Sequence, residues 1–243
     1  MNKPKNITDI DWQLLKNKYP NTLNEIIEKL NNGYPVQYLI GNVEFIDSII
    51  KVDKRVLIPR FETELLVEKT INYANKIFSN KINVVDLGTG SGCISIALKK
   101  HLDCDIDAID ISKDAIKLAK ENAKLNKVNI NFINKDMINE LDKNYDIIIS
   151  NPPYISKNAY IEKGVLDNEP HIALFAENNG LYFYEKIINN HLKRLNKPGL
   201  IAFEIGDNQE KELEKIIVNN NIKKYKFEVD LTKRVRYLFI FNE

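Results

Sequence analysis

Ile82-Asn83-Val84-Val85-Asp86-Leu87, followed at once by Gly88-Thr89-Gly90-Ser91-Gly92, is the stretch whose reading decides the fold. The apolar residues run on rather than alternate, which is the pattern of a strand buried on both faces in a parallel sheet. Three glycines then supply a turn in which backbone can approach a ligand closely, and Ile94, Ala97 and Leu98 open a helix. The same alternation continues downstream. Residues 105–110 read as a second strand, and a helix from Ser112 carries Ala115, Ile116, Ala119 and Ala123. Residues 128–133 and 145–149 read as the third and fourth strands. A helix through Leu181, Tyr184, Ile187, Ile188 and Leu195 is expected to stop at Pro198-Gly199, before a fifth strand at 200–205. Asp207 and Glu210 resemble a capping box for a further helix. Residues 225–229 and 237–241 close the chain as antiparallel strands joined by a tight basic turn. The expected fold class is α/β, a doubly wound, mostly parallel seven-stranded sheet without internal repeats.

Upstream of this core, residues 8–31 carry two short helical patterns, Trp12, Leu14, Leu15 and Tyr19 on one and Leu23, Ile26, Ile27 and Leu30 on the other. Pro20-Asn21 separates them and Gly33 closes the second. Strand-like stretches at 43–45, 49–52 and 56–58, punctuated by Asp47-Ser48 and Asp53-Lys54, read as a hairpin region. After Pro59-Arg60-Phe61, a helix face runs through Leu65, Leu66, Lys69, Tyr73, Ala74 and Ile77.

Composition narrows the functional classes. With 243 residues and 44% hydrophobic content, the chain can bury one substantial core. Lys+Arg 35 against Asp+Glu 34 leaves a net charge of +1, so no global field draws it to nucleic acid or anionic membrane. The few arginines (Arg55, Arg60, Arg194, Arg234 and Arg236) stand out in a lysine-rich chain, because a lysine cannot replace a planar fork in bidentate contact. Arg194 reads as a surface cation. Cys93 and Cys104 have neither metal-ligand nor disulfide spacing, and His101, His171 and His191 lack ligand spacing, so no metal is expected. The start, Met1-Asn2-Lys3-Pro4-Lys5, leads into no apolar signal core, and a cytoplasmic protein is expected, without membrane or dedicated nucleic-acid binding.

The chemistry concentrates at strand ends. Asn151-Pro152-Pro153-Tyr154 directly follows the fourth strand. The prolines offer no N–H, which leaves their carbonyls free of ladder partners. Asn151 adds a side-chain carbonyl and Tyr154 a flat amphipathic ring, so together they form an acceptor-lined slot for a planar group carrying an NH2. The glycine spacing is GxGxG rather than the GxGxxG of a dinucleotide site, where a pyrophosphate wants a helix N-terminus aimed at it. S-adenosylmethionine has no phosphate to cradle. Asp110, ending the second strand, is placed to accept ribose hydroxyls. Asp86 can meet an ammonium, and Asp136-Met137 can hold an adenine edge and face. Gly88, Thr89, Gly90, Ser91, Gly92 and Asn151 complete the expected cofactor set. A solvated strand-end carboxylate is an adequate reading for one of these aspartates, but not for three flanking a glycine turn.

With Asp86-Leu87-Gly88-Thr89-Gly90-Ser91-Gly92 and Asn151-Pro152-Pro153-Tyr154, the sequence resembles class I methyltransferases that act on planar amino groups. Residues 35–41, Leu57-Ile58-Pro59-Arg60, Glu62-Thr63-Glu64, Glu169-Pro170 with Ala173-Leu174, Gly180-Leu181, and Glu204-Ile205-Gly206 with Gln209 resemble the HemK/PrmC family in particular. Those are protein-(glutamine-N5) methyltransferases of peptide chain release factors, and the resemblance runs from about Pro35 to the C-terminus. It implies S-adenosylmethionine as cofactor and the glutamine of a GGQ loop as substrate. Catalysis would fall to Asn151, Pro152 and Tyr154, with Pro153 in the substrate slot and Tyr154 packing on the amide plane. The implied division is a helical docking segment at 1–34, a hairpin linker at 35–60 and a methyltransferase domain at 61–243. Two departures stand out: Phe61 occupies a position where the family usually has proline, and the N-terminal helical part is shorter than the family's. Arg234 and Arg236 read equally as contacts to the protein substrate or as caps of the edge hairpin. The rival functions are an adenine or guanine amino methyltransferase, which would want a basic face, a nicotinamide dehydrogenase, which the glycine spacing disfavours, and a non-catalytic adenosine-binding protein.

Overall fold

Alternate residues of each central strand face opposite layers, and that alternation sorts the core into two clusters. In a computed structural model describing residues 3–4 and 7–243, the elements follow in the order α1 (Asp9–Lys18), α2 (Leu23–Asn31), α3 (Val36–Ile40), β1 (Asn42–Phe45), β2 (Ser48–Lys51), α4 (Phe61–Ile77) and β3 (Ile82–Leu87). Then come α5 (Cys93–His101), β4 (Cys104–Asp110), α6 (Lys113–Leu125), β5 (Asn131–Asn134), β6 (Tyr145–Ser150), β7 (Ile155–Ser156), α7 (Lys163–Asn168) and β8 (Phe175–Ala176). The chain ends with α8 (Tyr182–His191), β9 (Leu195–Glu204), α9 (Glu210–Asn219), β10 (Lys224–Val229) and β11 (Val235–Asn242). Met1, Asn2, Lys5 and Asn6, which belong to the expected N-terminal segment, lie outside the described residues.

The large sheet has seven strands in the order β10-β11-β9-β6-β3-β4-β5. β9, β6, β3, β4 and β5 are parallel, and β11 runs antiparallel to both of its neighbours. Val84, Ile147, Ile149, Leu200 and Ala202 pack with Leu66, Val67, Ile96 and Leu98 of α4 and α5 on one face. Val85, Leu87, Ile148, Ile201 and Phe203 pack with Tyr184, Ile187, Ile188, Leu213 and Ile217 of α8 and α9 on the other. A third, smaller cluster joins Trp12, Leu15, Ile26 and Leu39, so the two N-terminal helices pack on α3. Lys18 Nζ and Tyr19 Oη donate to the Ile40 and Leu39 carbonyls and fix that seat.

Four local expectations change. Residues 56–58 form no strand; this segment has no strand partner, and its polar groups go elsewhere, Tyr38 Oη donating to the Val56 carbonyl and the Ile58 N–H to Glu169. The helix before the fifth strand ends at His191 rather than near Pro198. Pro198-Gly199 instead lie in β9, whose register against β6 jumps from Leu195 to Leu200, so a bulge accommodates the missing proline N–H. The third strand begins at Asn131, later than expected. Asp207 does not cap α9, whose N-cap is Gln209; Asp207 pairs with Arg234 and Arg236.

Candidate active site

The glycine turn and the Asn151 tip meet at the carboxyl ends of β3 and β6. From these neighbouring strands the chain winds in opposite directions, and ligands of doubly wound sheets bind at such a switch point. Ser150 Oγ donates to the Leu87 carbonyl at 2.6 Å and stitches the two tips together. Over the junction lies a cleft whose empty space, about 770 Å³, includes open solvent. Gly88 and Gly90 line it from the turn, Asp110 from the end of β4, Asp136 and Met137 from beyond β5, and Asn151 and Pro153 from the tip. Val56 and Leu57 close one side, Pro170, Ile172 and Phe183 another.

Each of these side chains is held by local geometry. Asp110 Oδ2 accepts from the Gly90 N–H at 2.9 Å and Oδ1 from the Ser112 N–H at 2.8 Å. Burial raises its pKa against these two donors. Asp136 Oδ1 accepts from the Ile138 N–H at 3.1 Å. Gly88 has φ +77°, and a Cβ there would stand 3.0 Å from the Met137 methyl, so a side chain would be strained by that φ and would press on Met137. Asn151 Nδ2 donates to Thr63 Oγ1 at 3.0 Å, while its Oδ1 and the Pro152 carbonyl take no donor among the described residues.

The remaining expected residues stand behind the wall. Asp86 is fully buried, with Oδ2 accepting from Thr89 Oγ1 at 2.6 Å and Ser95 Oγ at 2.7 Å. Its Oδ1 has no partner among the described residues. Burial pushes its carboxyl up to about 6, the two hydroxyls pull it down, and the Asp110 charge adds to the rise. The Ser91 carbonyl accepts from the buried Asn122, and Gly92 is the N-cap of α5 at φ +82°. Pro152 is buried. Tyr154 turns away from the cleft toward a second hollow, which it lines with Gly206, Gln209 and Arg236. Its hydroxyl donates to Glu204 Oε1 at 3.2 Å and accepts from Arg236 Nη2 at 3.2 Å.

Three residues named in the sequence have surroundings that the sequence does not show. Glu204 is fully buried and joins Thr63 and Tyr154, which only three separated stretches brought together could reveal. Glu169 accepts from the Ile58 N–H at 3.0 Å and from Arg60 at 2.5 Å, tying two walls of the cleft to each other. Phe61 is the first residue of α4, where proline is favoured but no N–H partner is required, so the helix starts there regardless.

The comparisons fit this geometry. The Methyltransferase small domain family matches residues 61–167. A release factor glutamine methyltransferase from Lactococcus lactis is 42% identical over 190 residues, covering 77% of this chain and 69% of that protein. One from Mycoplasma mycoides is 38% identical over 245 residues, covering 97% and 86%. The chain belongs to the release factor glutamine methyltransferase family. It is thus a methyltransferase, and family and fold together imply S-adenosylmethionine as methyl donor. Among solved structures, the hMettl16 catalytic domain in complex with a 3′UTR hairpin aligns with a TM-score of 0.65 at 18% identity, covering 97% of this chain and 93% of that one. At that identity the likeness speaks for the class I methyltransferase fold alone. Among the described residues no helix is long and apolar enough to cross a membrane.

Proposed function

We propose that this methyltransferase transfers a methyl group to the side-chain amide nitrogen of a glutamine in peptide chain release factors. The observation that carries this reading is Asn151, which lines the cleft beside the glycine turn with its Oδ1 unclaimed; the buried Pro152 carbonyl next to it at the tip is unclaimed as well. An amide nitrogen is a poor nucleophile because its lone pair is delocalised into the carbonyl. Two acceptors, one for each amide hydrogen, favour the positive charge that develops on nitrogen and turn its lone pair toward the methyl. Proton loss follows transfer, so no strong base is needed. Bound S-adenosylmethionine supplies a methyl carbon made electrophilic by its sulfonium. Asp110 would hold the ribose hydroxyls, Asp136 and Met137 the adenine, and Gly88 and Gly90 the backbone approach. The Pro153 ring borders the slot. Tyr154 serves the slot from behind, through its hydroxyl, rather than by stacking on substrate. Arg236 belongs with that buried framework and not with the substrate surface.

Docking of the protein substrate falls to the N-terminal segment, residues 1–34, where Ile10 and Leu14 lie one turn apart and exposed on α1. The hairpin linker at 35–60 carries that segment to the methyltransferase domain at 61–243. The setting of this reaction is the cytoplasm, where release factors act.

The deciding experiment incubates the purified protein and methyl-labelled S-adenosylmethionine with a release factor, or with bulk tRNA, rRNA and DNA, and locates the label by mass spectrometry. Label on a release-factor glutamine is expected; label in nucleic acid alone would transfer the assignment to the amino methyltransferases of bases.

Asp86 gives a pH signature. Its folded-state pKa of about 6 exceeds the ordinary Asp value of 3.8, because burial disfavours the charge. Stability from this group is therefore complete below about pH 4 and is lost as pH rises through 6. Cofactor affinity runs the other way, since the ligand's ammonium favours ionised Asp86 behind the turn. The Kd for S-adenosylmethionine is expected to weaken from pH 7 to pH 5, by at most about tenfold per pH unit. Asp86→Asn should bind more weakly at pH 7 and flatten that dependence; calorimetric titration across the range checks both. A wild-type Kd that stays flat would remove Asp86 from ammonium binding.

A further inference from the structure

A primary amide has two ends of nearly equal size, so packing alone does not decide which of them faces a substrate. Asn151 can accept a glutamine hydrogen only when its oxygen, not its NH2, points into the cleft. Hydrogen bonding must make that choice, and the bonds that make it lie behind the tip. Asn151 Nδ2 is 3.0 Å from Thr63 Oγ1, and Thr63 Oγ1 is 2.6 Å from Glu204 Oε2. A hydroxyl owns one hydrogen. That hydrogen is committed to Glu204, whose carboxyl burial pushes up while the Thr63 hydroxyl, the Arg236 charge and the Tyr154 hydroxyl pull it down, and Thr63 Oγ1 can then only accept from its other neighbour. The neighbouring end of Asn151 is then necessarily the NH2, and Oδ1 is left toward the cleft.

Glu204 is held to its role from the other side. Its Oε1 accepts from the Tyr154 hydroxyl at 3.2 Å, and that hydroxyl in turn accepts from Arg236, whose guanidinium also pairs with Asp207. The chain of donors thus runs in one direction, from a permanent cation to a buried carboxylate, and a second one runs from Asn151 through Thr63 to the same carboxylate. Thr63 is 3% and Glu204 0% exposed, so water does not compete for these bonds. Thr63 sits in the first turn of α4 and Glu204 ends β9, while Asn151 follows β6; three elements converge on one carboxylate beneath the slot.

We propose that Thr63 and Glu204 are positioning residues that lock the amide orientation of Asn151 and thereby set the polarity of the substrate slot. This rests on the reading of Asn151 as acceptor. The lock touches neither cofactor nor substrate. Its removal therefore lets the Asn151 amide turn over, and an NH2 then meets the hydrogens of the incoming glutamine.

The test compares Thr63→Val, Thr63→Ser and Glu204→Gln with Asn151→Ala and the double variant Thr63→Val/Asn151→Ala, in methylation of a release factor. Thr63→Val keeps the shape and loses the hydroxyl; turnover should fall roughly tenfold to hundredfold, the equivalent of one hydrogen bond to a charged group. Thr63→Ser should regain most of that loss. Glu204→Gln keeps the shape and adds a donor, which frees the Thr63 hydrogen to point at Asn151, and should resemble Thr63→Val. The double variant should be no slower than Asn151→Ala alone, because Thr63 acts through Asn151. Cofactor affinity should stay near wild type in all three single replacements at 63 and 204. A readout without turnover is hydrogen exchange of the Asn151 side-chain NH2 by NMR in cofactor-free protein, slow in wild type and faster in Thr63→Val or Glu204→Gln. Wild-type turnover and exchange in Thr63→Val would overturn the lock, as would a loss that multiplies onto that of Asn151→Ala. Full turnover in Asn151→Ala would instead overturn the role of Asn151 itself, even if the exchange rates still showed its NH2 held by Thr63.

Discussion

Alanine at position 151 is expected to lower turnover by about 10²–10³, the usual cost of losing one preorganised polar group at the point where charge develops. The reasons are local. Asn151 Oδ1 has no donor among the described residues, so deletion removes an acceptor that only a ligand can use. The backbone that shapes the tip is fixed by Pro152 and Pro153, and by the Ser150 bond to Leu87, none of which depends on the Asn151 side chain. Thr63 loses a donor and keeps its own bond to Glu204. The cleft wall at Gly88, Gly90, Asp110 and Asp136 is untouched, so cofactor affinity should change little. Single-turnover methyl transfer measured beside cofactor titration separates the two quantities. Equal loss in both would mean that Asn151 serves cofactor binding first, and unchanged methyl transfer would remove it from the mechanism.

What could be read in the sequence divides along a physical line. The sheet was legible because parallel strands buried on both faces are continuous apolar runs, and residues 82–87 and 145–149 are such runs. The meeting of Gly88 with Asn151 followed from the winding, which places the ends of adjacent strands at one switch point. The hydrogen-bonding inside the site was not legible. Thr63, Tyr154 and Glu204 stand in separate stretches that the family resemblance marks, but nothing local to any of them shows that they meet on one carboxylate. By position Tyr154 belongs to the substrate slot, since it follows Pro153, yet a strand tip that turns at two prolines sends the next side chain elsewhere. Residues 56–58 looked like a strand by composition. Such a segment becomes a strand only if a sheet edge is free to receive it, and here Glu169 and Tyr38 satisfy its backbone instead. The apparent capping box at Asp207 fails for a similar reason: Arg234, in the turn before β11, and Arg236, within it, claim that carboxylate first.

Gly180→Ala should abolish most activity and unfold the protein at a visibly lower temperature, although Gly180 touches neither cleft nor cofactor. The residue has φ +87°, a region that costs a side-chain-bearing residue about 1–2 kcal/mol. The greater difficulty is space. A Cβ at 180 would stand 2.0 Å from the Tyr154 carbonyl oxygen, 2.9 Å from its carbon and 2.6 Å from Gln209 Nε2. The obstructing atoms are mostly backbone of the Asn-Pro-Pro-Tyr tip, so no rotamer change relieves the collision. Either the 178–180 turn or the tip must move. Gln209 Nε2 also donates to that Tyr154 carbonyl and its Oε1 accepts from the Gly206 N–H, so a shift breaks the clamp that fixes the tip from behind. Overpacking of this kind costs about 1–3 kcal/mol, and with the φ penalty the sum is on the order of 3 kcal/mol or more. For a chain of this length that is a fall in Tm of about 6–12 °C. Gly33→Ala supplies the control, for its φ is +81° but its nearest neighbour to a new Cβ lies at 3.5 Å, an ordinary contact. It carries the φ penalty without the collision, and should lose about 1–2 kcal/mol with the tip intact. If Gly180→Ala proved no worse than Gly33→Ala in Tm and in methyl transfer, then the tip tolerates displacement, and close placement of Asn151 and Pro152 would not be what makes the amide nitrogen react.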